Sequence, residues 1–243
     1  MRTLVIGDIH GGYRALEQLI NRIQITREDR LVFLGDYVDG WSESRQVIDL
    51  LIELNRSYNC VFIKGNHDLW CEEWLSGSGK NPVWLLHGGN ATIASYAEAG
   101  MTVRNEHLSF FKRMLPFWKD EANNLYIHAG FSSMHGPEKE TYSTNYSWDR
   151  TLWETALALD PLLTTDSLKY PKRLKLFREI YIGHTPVIDY GSEFPMHAAN
   201  VWNIDTGAAF TGKLSALDVA TKQFWQSDNL RKLYPDEKGR NKD

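Results

Sequence analysis

Five times along this chain a short apolar run of β type stops at a glycine with a carboxylate, an amide or an imidazole beside it. The runs read TLVIGDIHGG from Thr3, LVFLGDYVDG from Leu31, CVFIKGNHD from Cys60, LYIHAG from Leu125 and IYIGHTPV from Ile180. One such exit is an ordinary turn, since Gly, Asn and Asp are turn formers. Repetition constrains the fold. Helix-period segments over residues 13–25 (Leu16, Leu19, Ile20, Ile23) and 44–54 (Val47, Ile48, Leu50, Leu51, Leu54) separate the first three runs. Strand, helix, strand, helix, strand implies right-handed crossovers and parallel strands whose carboxyl ends point one way. Ligands of such α/β sheets sit at those ends, so the five polar exits are expected to meet in one crevice.

Meeting there has a chemical cost. Asp8, His10, Asp36, Asn66, His128 and His184 brought together would repel or desolvate one another unless they held cations. Mixed carboxylate and imidazole donors suit manganese, iron or zinc, whereas calcium prefers oxygen alone. Six donors exceed what one tetrahedral ion takes and point to two ions sharing a carboxylate. The glycines let the chain turn sharply and leave room close by.

Composition excludes other classes. A net charge of −4 gives no footprint for a nucleic-acid polymer or an anionic membrane surface. No apolar run reaches membrane-spanning length, and the start of the chain does not read as a signal peptide. Cys60 and Cys71 form no CxxC pair, which fits a reducing compartment, so the expected location is cytoplasmic. With 243 residues, one domain over residues 1–228 is expected, followed by a charged tail, 229–243, expected to fray.

The ordered set GDIHG, GDYVDG, GNHD, HAG and GHT resembles the signature of the phosphoprotein phosphatase branch of the calcineurin-like metallophosphoesterases, over roughly residues 3 to 220. The stretch NIDTGAAFTGKLSALDV also resembles the closing strands of symmetrical diadenosine tetraphosphate hydrolases. The resemblance implies a β-sandwich of two mixed sheets flanked by helices, with a dinuclear centre at one edge. It implies Asp8 and His10 on the first ion, Asp36 bridging, and Asn66, His128 and His184 on the second. It places His67 as general acid and Asp39 as the carboxylate that orients it. The implied reaction is phosphomonoester hydrolysis by water activated between two ions, of which manganese is the first expectation. The implied substrate is phosphoserine or phosphothreonine in a protein, or phosphotyrosine; the alternative is symmetrical cleavage of a dinucleoside tetraphosphate.

Several residues depart from the pattern or stand outside it. His87, in LLHGGN, lies before a helix-like stretch and is read as a helix-entry residue, with His128 preferred as ligand. Asp68 replaces a glutamate of the eukaryotic protein phosphatases. Arg150, in SWDRTLWETAL, resembles the family's phosphate-binding arginine. Gly40 stands where the pattern GDxVDRG carries a second arginine, and Arg45, one helical turn on, is the candidate replacement. Trp41, Trp70, Trp74 and Trp148 flank the motifs and could wall a pocket for a nucleobase. Residues 132–145 are expected to form a loop at the rim of the site.

Overall fold

Alternation along each strand decides which layer a residue joins, because successive side chains point to opposite faces. The computed structural model describes residues 1–241. Its strands are β1 (Thr3–Ile6), β2 (Arg30–Phe33), β3 (Asn59–Phe62), β4 (Phe117–Lys119), β5 (Leu125–Ile127), β6 (Ile180–Ile182), β7 (Met196–Ala198), β8 (Val201–Asn203), β9 (Ser215–Asp218) and β10 (Phe224–Gln226). They form two five-stranded sheets, in the orders β10-β9-β1-β2-β3 and β4-β5-β6-β8-β7. Both are mixed. β1, β2 and β3 run parallel while β9 is antiparallel to β1, and β5, β6 and β8 run parallel between antiparallel β4 and β7.

Val5, Val32, Leu34 and Leu217 of the first layer meet Tyr126, Tyr181 and Ile204 of the second, and these form the buried seam between the sheets. The rings of Tyr126 and Tyr181 stack there at 5.1 Å. Leu4, Ile6, Leu31 and Phe33 point the other way, against helices α1 (Tyr13–Ile23) and α2 (Ser44–Ser57). On the far side, Leu125, Ile127, Ile180 and Ile182 pack on Leu152, Trp153 and Ala156 of the helix Thr151–Leu157. Each fully buried aliphatic side chain contributes about 1.5–3 kcal/mol. A charge at Val32 would therefore split the two layers.

Two expectations change. The polar cluster after β3 begins helix α3 (Asn66–Leu75) instead of forming a plain turn. The tail expected to fray is packed as far as it is described. Leu230 and Tyr234 are fully buried, and Tyr234 stacks on Trp41 at 5.1 Å. Leu230, Leu233 and Tyr234 fall at helical spacing inside a run of charges, and that apolar stripe outweighs the polar composition. Lys242 and Asp243 lie outside the described residues. No helix among the described residues is long and apolar enough to cross a membrane.

Candidate active site

The parallel strands turn out of their sheets through backbone conformations that side chains usually avoid. Among the described residues, eight non-glycine positions have positive φ, and four of them are His10 (52°), Asp36 (53°), Asp39 (74°) and His184 (66°). Such positions cost on the order of 1–3 kcal/mol each and persist only where their surroundings over-determine them. Here they do. The amides of Ile9 and His10 both donate to the Asp36 carbonyl, at 3.0 and 2.9 Å. The Asp68 carboxylate accepts from the amides of Asp36, Tyr37 and Gly65 at 2.8, 2.9 and 2.8 Å. Asp68 is thus committed to backbone, capping α3 and fixing the β2 exit. Burial and the neighbouring Asp36 charge push its carboxyl up to about 7.

The glycines make room for the acids themselves. A Cβ on Gly65 would stand 2.1 Å from Asp36 Oδ1, and one on Gly183 would stand 2.1 Å from Asp8 Oδ1. Only a hydrogen at each glycine lets the carboxylate lie against the exit of another strand, β3 for Asp36 and β6 of the second sheet for Asp8.

Asp8, His10, Asp36, Asn66, His67, His128 and His184 are all buried together at the edge where these strands end. Two triads share Asp36: His10, Asp36 and His67 on one side, Asp36, His128 and His184 on the other. Asp36 Oδ2 lies 3.6 Å from His10 Nε2 and 3.4 Å from His128 Nε2. Asn66 Oδ1 is 3.3 Å from His128 Nε2, and Asp8 Oδ2 is 3.9 Å from His10 Nε2. His10 Nδ1 reaches the Asp39 carbonyl at 3.2 Å and His128 Nδ1 the Leu34 carbonyl at 2.8 Å. A carbonyl only accepts, so each ring carries its proton on Nδ1 and turns Nε2 inward. Asp8 Oδ1 and His184 Nε2 are buried without any hydrogen-bond partner. Buried atoms of this kind call for a cation, and the donor set fits divalent ions.

Charge is poorly compensated by protein alone. Burial, then Asp205, pushes the Asp8 carboxyl well above the usual carboxylate range. Burial pushes Asp36 the same way, but the attraction of His128, His67 and His10 outweighs it and holds Asp36 well below that range. Burial lowers His10 and His184, whereas at His128 it is overcome by Asp36, which lifts that imidazole to about 10.

His67 Nδ1 meets Asp39 Oδ2 at 2.6 Å. Trp84 Nε1 donates to the same oxygen at 2.6 Å, and Thr92 Oγ1 donates to Asp39 Oδ1 at 2.6 Å. Nothing local in the sequence marks Trp84 or Thr92 as holders of Asp39. Arg150 stands exposed at the start of the helix Thr151–Leu157, and its charge reaches His184. Arg45 does not reach the site: its guanidinium pairs with Asp49 at 3.0 Å along α2, because the helix directs it away from the crevice. His87 is exposed, sits in an irregular turn between two short helices, and stacks on Trp70 at 6.0 Å. Trp70 also meets His67 at 5.1 Å and Trp148 at 5.2 Å, and Trp148 meets His184 at 6.0 Å. Trp41 and Trp74 instead belong to the core packing.

Comparison with known proteins finds relatives of this chain in sequence and in fold. The asymmetrical bis(5'-nucleosyl)-tetraphosphatase PrpE of Oceanobacillus iheyensis is 26% identical over 239 residues, covering 92% of this chain and 91% of that protein. Among solved structures, a candidate diadenosine tetraphosphatase superposes with a TM-score of 0.63 at 17% identity, covering 93% of this chain and 92% of that one. A cold-active protein-tyrosine phosphatase of a psychrophilic Shewanella gives a TM-score of 0.59 at 15% identity, covering 93% and 80%. These two show a shared fold. The family model for calcineurin-like phosphoesterases matches residues 1–206, which hold every donor of the buried cluster, and the chain belongs to that family.

Proposed function

We propose that this phosphoesterase hydrolyses dinucleoside tetraphosphates, and does so asymmetrically, releasing a nucleoside monophosphate and a nucleoside triphosphate. The carrying observation is the aromatic shelf of His87, Trp70 and Trp148 that continues directly from His67 and His184. Trp148 is 44% exposed, so its ring offers an open face for a base. The name borne by the Oceanobacillus relative supports the same substrate class and favours asymmetrical cleavage. Phosphoproteins, the first expectation from the sequence, and symmetrical cleavage, its alternative, both have less support.

Asp8, His10, Asp36, Asn66, His128 and His184 would hold two divalent ions, with Asp36 shared. Manganese, iron or zinc fits these donors. When bound, such a pair supplies an activated water and neutralises phosphoryl oxygens. Asp39, fixed by Trp84 and Thr92, orients the His67 ring. His67 then gives its Nε2 proton to the leaving oxygen, a contribution of typically 10²–10⁴-fold. Arg150 supplies a guanidinium fork for phosphate oxygens at the mouth of the site.

Side-by-side turnover of diadenosine tetraphosphate and a phosphopeptide panel by manganese-loaded protein, with product analysis, tests the proposal. AMP and ATP in equal amounts are expected. ADP as sole product would establish symmetrical cleavage, and faster phosphopeptide turnover would restore the phosphoprotein reading.

A further inference from the structure

The segment beyond the helix Leu230–Leu233 returns to the buried cluster and brings it a guanidinium. Its course is pinned at several points. Arg14 Nη1 donates to the Leu233 carbonyl at 2.7 Å, and Tyr234 bonds Glu43 through its hydroxyl. Glu237 accepts from the Ser42 amide and hydroxyl at 2.9 and 2.7 Å. The Arg240 amide donates to the Ala209 carbonyl at 2.8 Å. These anchors hold the tail against the loop that follows Asp39.

Arg240 is the product of that arrangement. Gly40 has a φ of 110°, and a Cβ there would stand 3.2 Å from Arg240 Cγ, so the glycine leaves the space that the arginine stem fills. The guanidinium lies over the Phe210 ring at 5.3 Å, with Nη2 3.3 Å from His87 Nδ1. No carboxylate among the described residues lies within ion-pair distance of it. The charges acting on it most strongly are Asp36, Asp39, Asp205 and Asp8, all at the buried cluster. It also borders a cavity of about 650 Å³ lined by Gly40, His87, Gly88 and Phe210. That volume is in the range of small-molecule sites.

A partly buried arginine beside the buried cluster, held by its own backbone and with no carboxylate partner among the described residues, is placed to receive an anion. We propose that Arg240 is a phosphate-binding residue of the active site, delivered by the folded-back C-terminal segment into the gap left by Gly40. There its planar fork takes oxygens of the substrate's phosphate chain, across the cluster from Arg150. The inference rests on phosphoester hydrolysis alone, so it stands whether the substrate carries one base, two or none.

The test is inorganic phosphate binding to the full-length, manganese-loaded protein by calorimetry, with metal content and thermal midpoint recorded on the same preparations. Arg240→Ala should weaken phosphate binding about tenfold or more. Arg240→Lys should fall between, because it keeps the charge and loses the fork. KM for p-nitrophenyl phosphate should rise more than kcat falls. Glu237→Gln, which loosens the anchor without touching the guanidinium, should weaken phosphate binding in the same direction and supplies the test if Arg240→Ala fails to fold. Unchanged phosphate affinity in a folded, metal-replete Arg240→Ala or Glu237→Gln protein overturns the proposal. So does a loss of affinity that merely follows loss of metal.

Discussion

His67 Nδ1 stands 2.6 Å from Asp39 Oδ2, and both groups are buried in a wall built by other parts of the chain. Each Asp39 oxygen accepts one further bond, from Trp84 or from Thr92, so the carboxylate has no freedom to swing. The imidazole is held with Nδ1 on Asp39 and its ring beside His10 and Asp36. On the proposed mechanism a histidine fixed in this way would serve a leaving group that needs a proton.

His67→Asn should therefore keep its metals and lose rate according to the leaving group. Phosphoserine, which expels an alkoxide, should lose about 10²–10⁴-fold. Diadenosine tetraphosphate and p-nitrophenyl phosphate, which expel far better leaving groups, should lose much less. Steady-state kinetics on the three substrates checks this, and equal losses would reduce His67 to a positioning residue.

Asp36 is the acid common to both triads, with one oxygen 3.6 Å from His10 and 3.4 Å from His128. Asp36→Asn should impair both ion sites together and abolish turnover in a folded protein. Elemental analysis showing two tightly held ions in that variant, with normal activity, would contradict the shared role.

That these side chains would meet was legible because each lies at a strand exit with a glycine within two residues, and parallel strands bring those exits to one edge. The strands themselves were legible as apolar runs, whereas the two layers followed only from the family resemblance, since Leu4, Val5 and Ile6 are all apolar and show no period of two. What holds the site was not legible. Trp84 and Thr92 lie 45 and 53 residues from Asp39, in a stretch without strand or motif signals. Arg240 lies in a segment whose charge suggested fraying, and only the stripe of Leu230, Leu233 and Tyr234 betrays that it folds back. Arg45 illustrates the reverse error, since proximity in sequence to Gly40 does not fix the direction in which a helix points a side chain.

Glu140 ties down the loop over residues 132–145. It accepts from the Ser132, Ser133 and Tyr142 amides at 2.5, 3.1 and 3.1 Å. Burial pushes its carboxyl up, but these bonds outweigh it and hold it at about 2, against an ordinary 4.5. A depressed carboxyl stabilises the fold above its unfolded value, and that stability is lost as pH falls through the folded value. Glu140→Gln should cost about 1 kcal/mol at pH 7, discounted for partial exposure. The gap from the parent should close between pH 4.5 and about 2. Denaturant unfolding at several pH values checks it; a gap as wide at pH 2.5 as at 7 would mean the carboxylate charge is not its source.

Trp148 separates base recognition from phosphate recognition. Its indole touches Trp70 and His184 by ring edges and is 44% exposed, so its removal leaves the core intact. Stacking of one base on an aromatic ring contributes about 1–3 kcal/mol. Trp148→Ala should raise KM for diadenosine tetraphosphate roughly tenfold while leaving KM for phosphoserine near its parent value. A parallel rise for both substrates would remove the shelf from base binding.

Arg150 and Arg45 make a matched pair of arginines for the final prediction. Both are basic residues near helix starts, yet of the two only Arg150 acts on a residue of the buried Asp/His cluster, through His184. Arg45 is engaged with Asp49 one turn along α2. Loss of a charge-assisted bond to phosphate costs about 1.5–3 kcal/mol. Arg150→Ala should therefore raise KM about tenfold or more with metal content unchanged. Arg45→Ala should leave kcat and KM unchanged and lower stability by no more than about 0.5 kcal/mol, the worth of an exposed helix pair. If instead Arg45→Ala raised KM and Arg150→Ala did not, the helix Thr151–Leu157 would have no part in phosphate binding, and the mouth of the site would lie on the α2 side of the crevice.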